Sequence, residues 1–348
     1  MTTGDLSTLL VWGAATAFTI ALLAYTVALS AVAEQSARRA RGAAVPVGAA
    51  ASGPTTVRTG SPVVTIDPTD GPGAPVRAPR AEGIARSTTW LGIALLLAGI
   101  VLRGVASGRW PTANMYEFTL VGVLVATLVL ALVQRRRTVA FLGVVVMGIG
   151  VLALALGLLV FFVQADAVQP ALQSYWLVLH VGVAIAATGV FTVAFAAAVL
   201  QVLSDAREQG RSHLEEPWAR ADGLRRGLSR WRVTGPAFAW LRQVPSAVQL
   251  EALSFRLNSI GFVLWTFTLI GGAIWAEHAW GRYWGWDPKE VGTFVAWVVY
   301  AAYLHARTTR GWAGRRAAYI VYVGYAVVIA NFTVINLFVT GKHSYSGL

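Results

Sequence analysis

Five histidines and one tryptophan-dense stretch are the residues of this chain with the most chemistry to offer. Residues 275 to 290 read W-A-E-H-A-W-G-R-Y-W-G-W-D-P-K-E and hold four of the 14 tryptophans, Trp275, Trp280, Trp284 and Trp286. Indoles are ordinary where a membrane meets water, because the ring is apolar and its N–H wants a polar neighbour. A belt of that kind does not call for glycine punctuation and charge. Gly281, Gly285 and Pro288 oppose a continuous helix, so the expectation is a folded loop with short helical turns, able to cover a large flat ligand. Asp287, Pro288 and Glu290 fit the N-cap, first and third positions of a following helix. That is a structural role, and it holds the loop rigid.

Two neutral imidazoles, one on each side of an iron porphyrin, make a natural axial pair, and tryptophans pack against the macrocycle. Whether any two of His180, His213, His278, His305 and His343 can act together depends on where the surrounding elements put them. The chain has no cysteine, which removes disulfides, thiolate catalysis and cysteine-ligated zinc, clusters or haem. No Ser-His-Asp arrangement, Walker loop or H-E-x-x-H occurs, so hydrolysis and nucleotide-driven transport lack their usual signals.

Those elements are membrane spans. Of 348 residues 56% are hydrophobic and only 13% charged, against roughly 25% charged in soluble domains. The fold expected is all-α, a polytopic integral membrane protein of about eight transmembrane helices. Residues 1–33 hold the first span, which lacks a basic n-region and reads as retained rather than cleaved. A low-complexity loop rich in Ala, Gly, Pro, Thr and Arg follows at 34–89. Spans two to five occupy 90–203, a polar segment with possible amphipathic helices 204–256, and spans six to eight 257–348. Gly143, Gly148, Gly150 and Gly157 would let the fourth span pack closely.

Charge orients the array. Segments 34–89, 134–138, 204–256 and 306–316 carry 23 of the 28 Lys and Arg; the other five are Arg103, Arg109, Arg282, Lys289 and Lys342. The positive-inside bias puts the four basic segments in the cytoplasm and both termini outside the cell membrane. The net charge of +12 is thereby a matter of topology, and no motif for nucleic acid accompanies it. The tryptophan-rich loop, His180 near the outer start of the fifth span and His343 just after the eighth then share the outer face. His305 sits near the cytoplasmic end of the seventh span, where an ionisable residue is a functional candidate. His278 is an alternative outer ligand or a surface residue, and His213 a solvated one. Glu117, after Asn114 and Tyr116 at the outer start of the third span, can bond Arg103 or Arg109, cap the span or tether the outer loops.

At this point the residues resemble the cytochrome c assembly family, whose hallmark is an outward-facing tryptophan-rich segment of the WWD type. The likeness is to the CcsA or ResC type of the two-component, System II haem attachment machinery, called CcsB in some lineages. The phrase at 275–290 carries it, supported by N-M-Y-E-F at 114–118, L-Q-S-Y-W-L-V-L-H at 172–180, Y-L-H-A-R at 303–307 and K-H-S-Y at 342–345. The resemblance covers roughly 90–348; residues 34–89 read as an added loop. It implies a membrane subunit of a cytochrome c synthase that exports or holds haem b and presents it for thioether attachment to C-x-x-C-H motifs of apocytochrome c. By the same resemblance His180 and His343 are outer axial ligands of haem iron, and His305 is one ligand of a membrane-embedded haem. The second ligand there is expected from a ResB-like partner, with an external thiol-reducing protein keeping the substrate cysteines reduced. Trp275, Trp280, Trp284 and Trp286 become the haem platform; Asp287, Glu290, Asn114 and Glu117 support it rather than catalyse. Two other readings compete: a bis-histidine haem electron-transfer protein, which would reduce a quinone rather than release haem, and a small-solute transporter, which would show inverted repeats.

Overall fold

The computed structural model describes residues 2–42, 78–135, 139–165, 174–211, 222–228, 232–235, 238, 240–241, 244–309 and 311–342. His213 and His343 lie outside the described residues. Among those described, all regular structure is helical, in the order α1 (Thr3–Gly42), α2 (Pro79–Ser107), α3 (Met115–Val133), α4 (Ala140–Leu159), α5 (Tyr175–Glu208), α6 (Asp222–Leu228), α7 (Ala247–Trp280), α8 (Pro288–Thr309), α9 (Arg315–Phe332) and α10 (Val334–Phe338). The short polar caps explain several starts. Asn114 accepts from the Glu117 N–H at α3, Ser174 from Trp176 at α5, and Ser246 forms a reciprocal box with Gln249 at α7.

Among the described residues, seven stretches are long and apolar enough to cross a membrane, in α1, α2, α3, α4, α5, α7 and α9 extended through α10. The eighth expected span is α8, which has 22 residues but is diluted by Trp297, Tyr300, Tyr303, His305 and Arg307. Its neighbours reveal its course. Trp265 Nε1 of α7 donates to the Thr293 carbonyl of α8, Trp297 Nε1 donates to Thr266 Oγ1, Tyr303 meets Phe255, and Arg307 pairs with Glu251 at 3.1 Å. From the 265/293 and 266/297 contacts to those at 255/303 and 251/307 the α7 numbers fall as the α8 numbers rise, so α8 runs antiparallel beside α7.

α5 is the central helix. It packs along α7 and against α3, α4 and α9, and its buried Ala184, Ala187, Ala194, Ala196, Ala197 and Ala198 let those neighbours come close. α1 and α2 pair with each other, and α1 also meets α4. With 34 residues each, α5 and α7 are about 51 Å long, well beyond a hydrocarbon core of about 30 Å. At the basic end the surplus turns are tied by ion pairs and hydrogen bonds: Arg315 Nε to Asp205 at 2.7 Å and the Ala247 N–H to Glu208 at 3.0 Å. The tryptophan-rich segment lies at the opposite end.

Candidate functional site

At that opposite end the helices line a cavity that is open at its mouth. The loop before α3, the start of α5, the second half of α7, the start of α8 and the end of α9 all contribute walls. His180, Trp265, Trp275, Trp284, Lys289 and Asn331 are among the lining side chains.

His180 is set by backbone. Its Nδ1 lies 2.8 Å from the Thr268 carbonyl oxygen on α7. A carbonyl only accepts, so Nδ1 carries the proton and Nε2 the lone pair, the arrangement a metal-ligating imidazole needs. The ring passes over Gly272, where an added Cβ would come within 2.7 Å of His180 Cε1 and 2.9 Å of Nδ1. Glycine at 272 therefore makes room for the ring. Trp275 is 1% exposed and lies parallel to His180, 8° between planes and 6.2 Å between centroids.

The four tryptophans divide into two pairs. Trp275 and Trp284 line the cavity. Trp280 meets the edge of Trp275 at 4.8 Å, and Trp286 the edge of Trp284 at 5.7 Å. Trp275 and Trp280 belong to α7, which continues unbroken to Gly281, a left-handed cap with φ 70°. The loop expected from 275 onward is thus confined to 281–287, because the first helix-breaking residue of the phrase is Gly281 itself. Trp286 holds φ 59° with its side chain 75% exposed, a conformation costly for a bulky residue. Trp284 Nε1 is buried and has no acceptor among the described residues, as befits a donor waiting for a ligand.

Asp287 and Glu290 hold this loop together. Glu290 Oε2 accepts from the N–H groups of Gly285 and Asp287, at 2.8 and 3.1 Å, while Asp287 Oδ2 accepts from Lys289 N–H at 3.2 Å. Asp287 also reaches across 55 residues: its Oδ1 accepts from the Lys342 N–H at 2.6 Å, and Lys342 Nζ sits 5.6 Å from the Trp280 ring centroid. The residue immediately before His343 is therefore fastened to the tryptophan-rich segment.

Glu117 has no exposed surface and is the hub of the opposite rim. Arg103 Nε donates to it at 2.9 Å, Arg109 at 2.8 and 3.0 Å, and the Ala113 N–H at 2.9 Å. Arg103 also donates to the Val163 carbonyl at 2.7 Å. These bonds fix residues 112–115, which line the cavity.

His278 and His305 stand apart. His278 Nδ1 bonds the Ile274 carbonyl of its own helix. His305 is exposed on α8, 16 positions and about 24 Å beyond Lys289, and does not line the cavity. Sequence reasoning missed Lys289, Asn331, Asn336, Thr268 and Trp265. The sole hint was that Lys289 is a lysine outside every basic segment.

The chain matches the model of the family described as cytochrome C assembly protein over residues 112–343. It is 36% identical over 270 residues to the cytochrome c biogenesis protein CcsA of Synechococcus sp. (strain CC9902), covering 76% of this chain and 86% of that protein. It is 33% identical over 258 residues to the CcsA of Prochlorococcus marinus (strain MIT 9313), covering 72% and 80%. In fold it is similar to the solved structure of a cytochrome c haem lyase, CcmF, with a TM-score of 0.59 at 16% identity; 95% of this chain aligns, spanning about half, 47%, of that one. The family match spans the helices that build the cavity, the relatives cover about three quarters of the chain, and the chain belongs to the CcsA-type cytochrome c assembly family.

Proposed function

We propose that this chain is a membrane component of cytochrome c biogenesis that holds haem b in the tryptophan-walled cavity and presents it to apocytochrome c on the outer face of the cell membrane. The observation that carries this reading is His180: an imidazole whose Nδ1 proton is committed to a backbone carbonyl and whose side chain lines a cavity together with indoles. The lining suits a porphyrin in kind: it is largely apolar, and it offers the Trp284 N–H, buried without an acceptor among the described residues. Haem supplies two vinyl groups, to each of which a substrate thiol adds, its hydrogen ending on the vinyl carbon.

The chain's own residues bind and orient. When haem is bound, His180 and His343, which follows the fastened Lys342 in sequence, would hold its iron, and exchange of one of them for the substrate histidine would hand over the group. Trp275 and Trp284, on the cavity wall, would pack against the ring, so that thiols would meet the vinyls in one orientation, and orientation would supply much of the rate. Asp287, Glu290 and the Asn114–Glu117 rim hold the walls. His305, exposed on α8, is suited to share an embedded haem with a histidine of a ResB-like partner, since a lone imidazole in lipid is costly. An external thiol-reducing protein would keep the C-x-x-C-H cysteines ready.

The test is co-expression with the ResB-like partner and an apocytochrome c in a host lacking its own attachment system. Covalent cytochrome should require this chain and should fall at least tenfold when His180 and His343 are both changed to alanine. Covalent cytochrome that forms without the chain, or at full yield with both histidines gone, would overturn the reading.

A further inference from the structure

Among the described residues that line the cavity Lys289 is the one lysine or arginine, and its surroundings are unusual for a lysine in an apolar setting. Its Nζ donates to Asn336 Oδ1 at 2.7 Å and to the Asn331 carbonyl at 3.2 Å. Both acceptors are neutral. An ammonium has three donors, and among the described residues no carboxylate comes within 4 Å of this one. Neither acidic neighbour in sequence contacts the ammonium: Asp287 accepts from the Lys342 and Lys289 N–H groups, and Glu290 Oε2 from those of Gly285 and Asp287, while Glu290 Oε1, on the same cavity wall, is buried with no partner among the described residues. A half-buried positive charge with no carboxylate in direct contact is a favourable place for an anion that arrives with a ligand.

The asparagines hold the ammonium in position. Asn331 Nδ2 donates to Thr293 Oγ1 at 3.0 Å, and that hydroxyl donates to the Lys289 carbonyl at 2.7 Å. Asn336 Nδ2 donates to the Phe332 carbonyl at 2.8 Å, which leaves Oδ1 facing the lysine. So α8, α9 and α10 are linked through one ammonium, on walls that face the same cavity as His180 of α5. A lysine used only as a strut between helices would be served as well by a neutral donor. This one adds a charge where the bound group must come.

Building on the haem-holding role, we propose that Lys289, set by Asn331 and Asn336, receives a carboxylate of the bound tetrapyrrole and so fixes the ring's rotation about the axis through iron. Iron ligation by His180 alone leaves that rotation open. A charged contact at the rim closes it and determines which way the vinyl edge faces. Lys289 is thus a positioning and binding residue, separate from the groups that ligate iron.

The experiment titrates the purified full-length chain in detergent with ferric haem b and with its dimethyl ester, in which both propionates are neutral, following the Soret band. The wild-type chain should bind the free acid about tenfold to a hundredfold more tightly than the diester. Lys289→Met should abolish that preference by weakening only the free acid. Lys289→Arg should retain it. Asn336→Asp sets a permanent carboxylate against the ammonium without removing the link between helices, and it too should abolish the preference while leaving diester binding and the Soret position unchanged. Equal affinity of the wild type for acid and diester, or an equal loss for both in Lys289→Met and Asn336→Asp, overturns the carboxylate contact and leaves haem binding standing. Failure of the wild type to bind either compound overturns the haem-holding reading itself.

Discussion

At the scale of single residues, the site depends on an absence of atoms as much as on their presence. Gly271 and Gly272 are neighbours on α7, yet a Cβ at 271 would touch His180 at 3.6 Å, an ordinary contact, while one at 272 would drive into the imidazole at 2.7 Å. Gly272→Ala should therefore displace the ring and break the Nδ1 bond to Thr268, costing about 1–3 kcal/mol. Gly271→Ala should be tolerated. The comparison is read as the melting temperature of the detergent-solubilised chain together with the Soret position of added haem; equal behaviour of the two variants would contradict the proposed seat for His180. None of this could be taken from the sequence. His180 itself stood out as one of few histidines, but its orienting partner is a backbone carbonyl, which has no residue signature, and Gly272 looks like any other glycine in an apolar run. Lys289 was visible as a charge outside the basic segments, whereas its acceptors lie 42 and 47 residues further on, a distance no spacing rule spans.

At the scale of elements, the tryptophan-rich segment shows how local signals succeed and fail. Asp287, Pro288 and Glu290 were readable because capping is chemistry between near neighbours: Asp287 accepts from Lys289 and Glu290 reaches back to Asp287. The extent of the loop was misjudged, since breakers at 281, 285 and 288 say where a helix cannot continue and nothing about how far a preceding helix reaches. α7 carries Trp275 and Trp280 on its last turns, and only Trp284 and Trp286 ride on the loop. The second duty of Asp287 is tertiary: it fastens Lys342, at the end of the described chain, to the same loop. Asp287→Ala should remove the cap of α8, at about 1 kcal/mol, and release that fastening. Because the chain has no cysteine, Lys342→Cys offers a single thiol that keeps the backbone N–H in play. Its labelling rate should rise roughly fivefold when Asp287→Ala is added, the population change that goes with about 1 kcal/mol. An unchanged rate would mean that Asp287 does not hold the segment leading to His343.

At the scale of the whole molecule, composition alone indicated the helical membrane class, because runs of apolar residues this long have few other solutions. The count was harder. α8 falls short of the apolarity of the other spans because its buried face is built from Tyr300, Tyr303 and Trp297, side chains that satisfy α5 and α7 rather than lipid: Tyr300 stacks on Phe191 at 3.9 Å, and Trp297 donates to Thr266. Whether α8 crosses decides the parity of the chain, and with it whether the cavity end and the termini share a side. The antiparallel ladder from Trp265–Thr293 to Glu251–Arg307 predicts that it does. A thiol at Tyr283→Cys, before α8, and one at Thr309→Cys, after it, should then react with an impermeant maleimide from opposite faces of intact cells and inverted vesicles. The positive-inside bias adds a direction: Tyr283→Cys should label from outside, and Thr309→Cys, beside Arg307, only after inversion. Labelling of both from one face would show that α8 lies along the surface, removing the eighth crossing and the shared outer face of His180 and His343. Labelling from opposite faces in the reverse sense would keep the cavity and its eight helices but open it toward the cytoplasm, where a chain that presents haem to a secreted substrate could not work.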